Sequence, residues 1–140
     1  MKIDLEKIRE HFKNDRFATI NGIVIDSVAE ESVVCSMELA ADHRNAVGGV
    51  QGGAIFTLAD LAFAVHCNLA FVCGEDVGET VAQSCSISFM KSTKGRRLFA
   101  KSTCLSKGRN ISVYRIVIED DLGNRVAEML ANGYTRERTG

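Results

Sequence analysis

Gly52 and Gly53 stand together at the start of a long apolar stretch, and Asp60 follows eight residues after Gly52. Glycines allow another molecule to approach the backbone closely. At a helix start the first N–H groups lack intrahelical acceptors and sit at the positive end of the macrodipole. The pair therefore suits an oxyanion or a polarised carbonyl, or else forms a plain strand-to-helix turn. Asp60 is the only acid between Gly52 and Gly74. A carboxylate on so apolar a helix must be paired, protonated or put to use. At 1.5 Å per residue the two features lie about 12 Å apart along the axis. One small reacting group cannot touch both. Joint action on one bond requires two chains, with a twofold axis setting the helices antiparallel.

The elements that would carry these residues follow from periodicity. Residues 3–14 place Ile3, Leu5, Ile8 and Phe12 among charges, which predicts a short amphipathic helix. Residues 20–39 are rich in Ile and Val, punctuated by Asn21-Gly22 and Glu30-Glu31-Ser32, and read as one interrupted strand or a hairpin. Residues 40–53 hold Asp42, Asn45 and four glycines and read as a loop. Residues 53–73 are apolar on nearly every face. Their length would suit a membrane span, but Asp60, His66 and Asn68 and the absence of basic flanks argue for a buried helix. From residue 80 the period becomes two. Val81, Cys85, Ile87 and Phe89 are expected on one face, with Ala82, Ser84, Ser86 and Ser88 on the other. Strands at 97–106, 111–119 and 125–135 follow, separated by Lys107-Gly108-Arg109-Asn110 and Asp120-Asp121-Leu122-Gly123-Asn124. The order predicts an α+β single domain over 1–140, one long helix packed on an antiparallel sheet.

Composition narrows the function classes. The 140 residues are 46% apolar and 25% charged, with net charge −1, which excludes a disordered chain and argues against nucleic acid as a partner. Cys35, Cys67, Cys73, Cys85 and Cys104 form no C-x-x-C and are an odd number, as suits small core residues in a reducing compartment. His11, His43 and His66 show no metal-ligand spacing, so no metal site is expected. The N-terminus is charged and carries no apolar signal region, which predicts a cytoplasmic protein.

Asn45, Gly52-Gly53, Leu58 and Asp60 stand in the register of an Asn-x5-His-Gly-Gly-x4-Leu-x-Asp signature. Here the chain resembles the hotdog-fold acyl-CoA thioesterases, closest to the phenylacetate-degradation type of the 4-hydroxybenzoyl-CoA thioesterase superfamily. The resemblance covers roughly residues 20–137 and extends to Ser88-Phe89-Met90-Lys91 and the basic turn Lys107-Gly108-Arg109. It implies a five- or six-stranded antiparallel sheet wrapped around the long helix, dimers often paired into tetramers, and hydrolysis of an acyl-CoA thioester without metal or organic cofactor.

Residue by residue, the resemblance implies that the Gly52 N–H polarises the thioester carbonyl and that Asn45 lies near that carbonyl or orients the loop. The partner's Asp60 would act as general base or nucleophile. Gly53 and Met90 would contact substrate, and Lys91, Lys107, Gly108 and Arg109 would meet the CoA phosphates. The chain departs from the pattern at two chemical positions. Gln51 replaces the His before Gly-Gly and cannot carry a proton at neutral pH. Ala82 stands where relatives place a water-holding Ser or Thr, so Gln83 or Ser84 would have to serve. Lys91-Ser92-Thr93-Lys94-Gly95 also replaces the usual proline bend. These departures keep open a non-catalytic acyl-CoA binder on the same fold. A dehydratase needs a His beside the acid. His66 lies six residues past Asp60, about 600° around the helix, which leaves only His43.

Overall fold

The computed structural model describes residues 1–137; positions 138–140 lie outside the described residues. Helix α1 (Leu5–Phe12) begins at Asp4, whose carboxylate accepts the Lys7 N–H at 3.1 Å. A five-residue helix, α2 (Arg16–Ile20), follows, capped in the same way by Asp15. Periodicity does not foreshadow α2, because five residues are too few to show a helical period. The Ile- and Val-rich stretch resolves as a hairpin of β1 (Ile23–Val28) and β2 (Val33–Glu38). The 40–53 loop contains one 3-10 turn, Ala41–His43, and a single bridge between Arg44 and Val50.

The long apolar stretch forms two helices rather than one, α3 (Gly52–Cys67) and α4 (Leu69–Val72). Asn68 separates them. Its side-chain N–H donates to the carbonyls of Ala64 (3.0 Å) and Thr80 (2.9 Å), and its Oδ1 accepts the Thr80 N–H at 2.7 Å. These bonds end α3 and tie it to the next strand. The remaining strands are β3 (Thr80–Phe89), β4 (Arg97–Lys107), β5 (Ile111–Asp120) and β6 (Arg125–Thr135). All pairings are antiparallel, in the order β1-β2-β4-β5-β6-β3. The sequence predicts an antiparallel sheet with one long helix packed on it; the count of six strands falls within the five or six that the family resemblance implies.

Helix α3 is held by burial. Leu58, Ala59, Ala62 and Val65 are wholly buried, in one cluster with Met37, Leu98, Ile116 and Met129 of the sheet. Each large side chain so buried contributes about 1.5–3 kcal/mol. His66 belongs to this core. It donates from Nε2 to the Glu30 carbonyl (2.8 Å) and accepts at Nδ1 from the Ser102 hydroxyl (3.0 Å). Burial lowers its pKa, so it stays neutral.

A bulge at Gln83 corrects the expected facing of β3. Cys85 and Ile87 pair with the buried Ala131 and Met129, so they face α3. Before the bulge, Thr80 and Ala82 take that face. Val81 pairs with the exposed Tyr134 and points outward. One extra residue reverses the alternation, and strict counting by two cannot register it. Strand β3 is also an open edge of the sheet, with its far side unpaired among the described residues.

Candidate active site at the start of the central helix

Asn45 organises the loop that leads into α3. Its Oδ1 accepts the N–H groups of Val47 (3.1 Å) and Gly49 (3.0 Å), and its own N–H donates to the Gly49 carbonyl at 2.8 Å. Gly48 closes this turn at φ +88°, a conformation that glycine adopts without strain. Of the two roles the resemblance leaves to Asn45, orientation of the loop is therefore visible within the chain.

Gln51 is the N-cap of α3. Its backbone is extended (φ −66°, ψ 131°), and its side-chain oxygen accepts the Gly53 N–H. The Gly53 carbonyl in turn accepts the Thr57 hydroxyl at 2.7 Å. Gly53 thus has its amide occupied. The Gly52 N–H, one residue earlier, has no acceptor among the described residues. It is the free donor at the positive end of a sixteen-residue helix.

Gly52 opens into a cleft of about 520 Å³, lined among others by Asn45, Gly49, Phe89, Met90, Lys91 and Val126. Four sequence-predicted site residues, Asn45, Gly52, Met90 and Lys91, therefore come together. The Phe89 ring, which the sequence offers equally as pocket lining or as core, forms one wall of this cleft. A Cβ placed on Gly52 would lie 3.1 Å from Phe89 Cζ, so the ring rests against the glycine. The alternating pattern of β3 puts Phe89 on the helix side, but only the fold lays it over Gly52.

Asp60 lies two turns further along α3 and does not reach this cleft. It is half-buried and accepts no hydrogen bond from any described residue. Burial pushes its pKa up, and the like charge of Asp15 at the start of α2 adds to the effect. Gly53, Thr57, Asp60, Ala64 and Cys67 recur at spacings of four and three along α3, and none is fully buried. They form one stripe of the helix that its own sheet leaves partly uncovered. Cys67, at the end of this stripe, has its thiol pKa pushed up to about 12 by burial.

The other predicted residues are dispersed. Gln83 sits at the bulge. Ser84 points to the outer face, where its hydroxyl accepts from Asn132 at 2.8 Å. Neither joins the Gly52 cleft within this chain. Lys107, Gly108 and Arg109 lie at the far end of β4, about 33 Å from its start at roughly 3.3 Å per residue. There Lys107 borders a second cleft with His66 and Cys67 at the C-terminal end of α3. Arg109 lies 3.2 Å from Glu137, and both side chains are exposed. His43 is buried in a loop-capping role. It accepts the Ala40 N–H at Nδ1 and donates from Nε2 to the Asn21 carbonyl, each at 3.0 Å. His43, the one histidine left to the dehydratase reading, is thus committed to structure, as is His66.

Comparison with known proteins places the chain in a family. The model of the Thioesterase superfamily matches residues 48–127, from the loop before Gly52 into β6. Acyl-coenzyme A thioesterase PaaI of Escherichia coli K12 is 32% identical over 117 residues, 83% of this chain and 79% of that protein. Human acyl-coenzyme A thioesterase 13 is 26% identical over 138 residues, 96% of this chain and 93% of its own. The solved structure of the E. coli PaaI protein superimposes with TM-score 0.82 at 28% identity, covering 94% of this chain and 95% of that one. By sequence and by fold, the chain belongs to the thioesterase superfamily.

Proposed function

We propose that this thioesterase hydrolyses acyl-CoA thioesters to free acid and CoA, at a site completed between two copies of the chain. The observation that carries the reading is the pairing of two unused groups. The Gly52 N–H has no acceptor and faces a cleft, while Asp60 has no donor and lies on the partly uncovered stripe of the same helix. About 12 Å of helix separates them in one chain. A twofold dimer with antiparallel α3 helices brings the partner's Asp60 to the Gly52 end. The open edge of β3 supports such a dimer, since unpaired strand edges invite pairing. The same arrangement brings the partner's Lys107–Arg109 turn toward this cleft, where it joins Lys91 around the CoA phosphates. Pairing of dimers into tetramers fits the apolar side chains exposed on the outer face of the sheet, Phe99 and Leu130 among them.

Chemistry follows from these placements. The thioester carbonyl accepts the Gly52 N–H. Asp60, as general base, takes a proton from water, and the water oxygen bonds to the carbonyl carbon. The oxyanion collapses, the C–S bond breaks, and the proton held by Asp60 returns to the departing sulfur. No metal or organic cofactor enters these steps, and CoA is part of the substrate. The name of the PaaI relative supports the substrate class. Five cysteines without disulfides support a cytoplasmic setting, and no helix among the described residues is long and apolar enough to cross a membrane.

The reading is tested by incubating the protein with a panel of acyl-CoA thioesters and following products by chromatography. Release of free acid and CoA is expected; tight binding without turnover would replace the enzyme with a binder. The base must be ionised, so kcat/KM should fall on acidification at a pH above the ordinary carboxylate range. Asp15→Asn removes the like charge and keeps an N-cap acceptor for Ala18. It should shift the acid limb of the pH–rate profile to lower pH while leaving the plateau unchanged. An unmoved limb would show that Asp15 does not act on Asp60.

A further inference from the structure

The wall of the Gly52 cleft that carries Met90, Lys91 and Thr93 is not held by its own strand alone. It is fastened to the β5–β6 turn, residues 120–125. Asp120 is buried, and its carboxylate accepts four donors: the N–H groups of Leu122 (3.0 Å) and Asn124 (2.8 Å), the Asn124 side-chain N–H (3.4 Å) and the Thr93 hydroxyl (2.6 Å). Thr93 passes the connection on, accepting the Gly95 N–H at 2.9 Å. Asp121 accepts the Arg96 N–H at 3.0 Å and donates its own N–H to the Arg97 carbonyl at 3.1 Å. The turn and the loop are thus locked along their length.

At the rim of the cleft, Asn124 joins opposite charges. Its Nδ2 donates to the Asp120 carboxylate, and its Oδ1 accepts the Lys91 ammonium at 3.1 Å. A side-chain amide can both donate to a carboxylate and accept from an ammonium, and it does so without adding a charge. The consequence is electrostatic. Six basic side chains, Arg9, Lys13, Arg109, Arg115, Arg125 and Arg136, lie within 4.0 Å of a glutamate, whereas Lys91, like Lys101 and Lys107, has no glutamate partner among the described residues. What sets Lys91 apart is that it lines the Gly52 cleft and is held there by a neutral oxygen, so its position is set while its charge is left for an anion entering the cleft.

We propose that Asn124, backed by Asp120, is a positioning residue that presents Lys91 to the phosphates of the CoA substrate. This rests on the acyl-CoA reading above. It identifies which part of the substrate the turn serves: the phosphate-bearing end and not the reacting thioester.

The experiment compares an acyl-CoA with the matching acyl N-acetylcysteamine thioester, which has the same reacting bond and no phosphate. Asn124→Ala should raise KM for the acyl-CoA by roughly three- to tenfold, the range for losing one ordinary hydrogen bond. Its kcat should stay, and kcat/KM for the phosphate-free ester should not move. Lys91→Ala should do the same, and the double variant should add little beyond Lys91→Ala. Asn124→Asp, which keeps a turn-forming residue but supplies Lys91 with a counter-charge, should also weaken the acyl-CoA selectively. Equal loss on both esters, or independent multiplication of the two single effects, overturns the proposal. Titration calorimetry with CoA and with pantetheine reads the same contrast without turnover. CoA affinity lowered by Asn124→Ala in a protein that hydrolyses neither ester would uphold the positioning role and refute the hydrolase reading; unchanged CoA affinity would refute the role.

Discussion

Asp60→Asn should lower turnover of acyl-CoA by at least roughly 10²–10⁴-fold, the contribution of a positioned general base, while the protein becomes more stable near neutral pH. The two effects share one cause. Asp60 is a half-buried carboxylate with no hydrogen-bond donor, and its pKa is raised first by that burial and then by Asp15. Keeping it ionised in the folded state therefore opposes folding. The sign follows from proton linkage. Between the unfolded value of about 3.8 and the raised folded value, the native state holds more protons than the unfolded state. Stability falls as pH rises through that window, and the full penalty is present above it. Asparagine carries no charge, so urea denaturation should show the variant more stable at pH 7, with the difference closing on acidification below the unfolded value. Loss of activity with gain of stability is the signature of a functional carboxylate. If Asp60→Asn keeps most of its turnover, Asp60 is not the base.

Gly52→Pro should lower kcat by roughly 10²–10³-fold, as expected when one oxyanion donor is removed, without unfolding α3. A side-chain substitution cannot delete a backbone N–H, but proline does. Gly52 is the first residue of α3, where proline is well tolerated and where the amide has no intramolecular acceptor to lose. The preceding Gln51 already has the extended conformation that proline demands of its neighbour. The new ring must still fit beside Phe89, whose Cζ would lie 3.1 Å from any added Cβ. Gly52→Ala separates the two consequences, because it adds the same Cβ but keeps the N–H. Alanine should retain most of the rate that proline loses. Equal damage from both would assign the effect to Phe89 and not to the amide. Mixing the two inactive proteins adds a test of the interface. If each site takes Gly52 from one chain and Asp60 from the other, exchanged Gly52→Pro and Asp60→Asn subunits should recover about a quarter of the wild-type rate. Half of the dimers would then be mixed, with one intact site in two. No recovery after demonstrated exchange would place both groups in one chain.

Much of this was legible in the residues themselves. The central helix and the strands after it follow from one long apolar run and from a period of two, both local properties of the chain. Gly52-Gly53 and Asp60 could be singled out because each is anomalous where it stands: paired glycines at a helix start, and a lone acid among apolar neighbours. Their separation of about 12 Å is simple helical geometry, and it is the ground on which a site shared by two chains is proposed.

Tertiary structure decided the matters that depend on contacts between distant segments. That α3 ends at Cys67 follows from Asn68 bonding to Thr80, twelve residues away. That Ser84 faces outward and Ala82 inward follows from one unpaired residue, Gln83, against β6. That Gln51 caps Gly53 and leaves the Gly52 amide free depends on the chain reversal fixed by Asn45 and His43. Likewise, Asn124 reads in the sequence only as part of a hairpin turn. Its place against Lys91 arises because β3 and β6 pair in register, which brings the end of one strand beside the turn that begins the other. Periodicity reports which way a side chain leans within its own element. It carries no information about which element will lie opposite, and in this protein the free donor, the uncovered acid and the uncompensated lysine are all defined by what lies opposite.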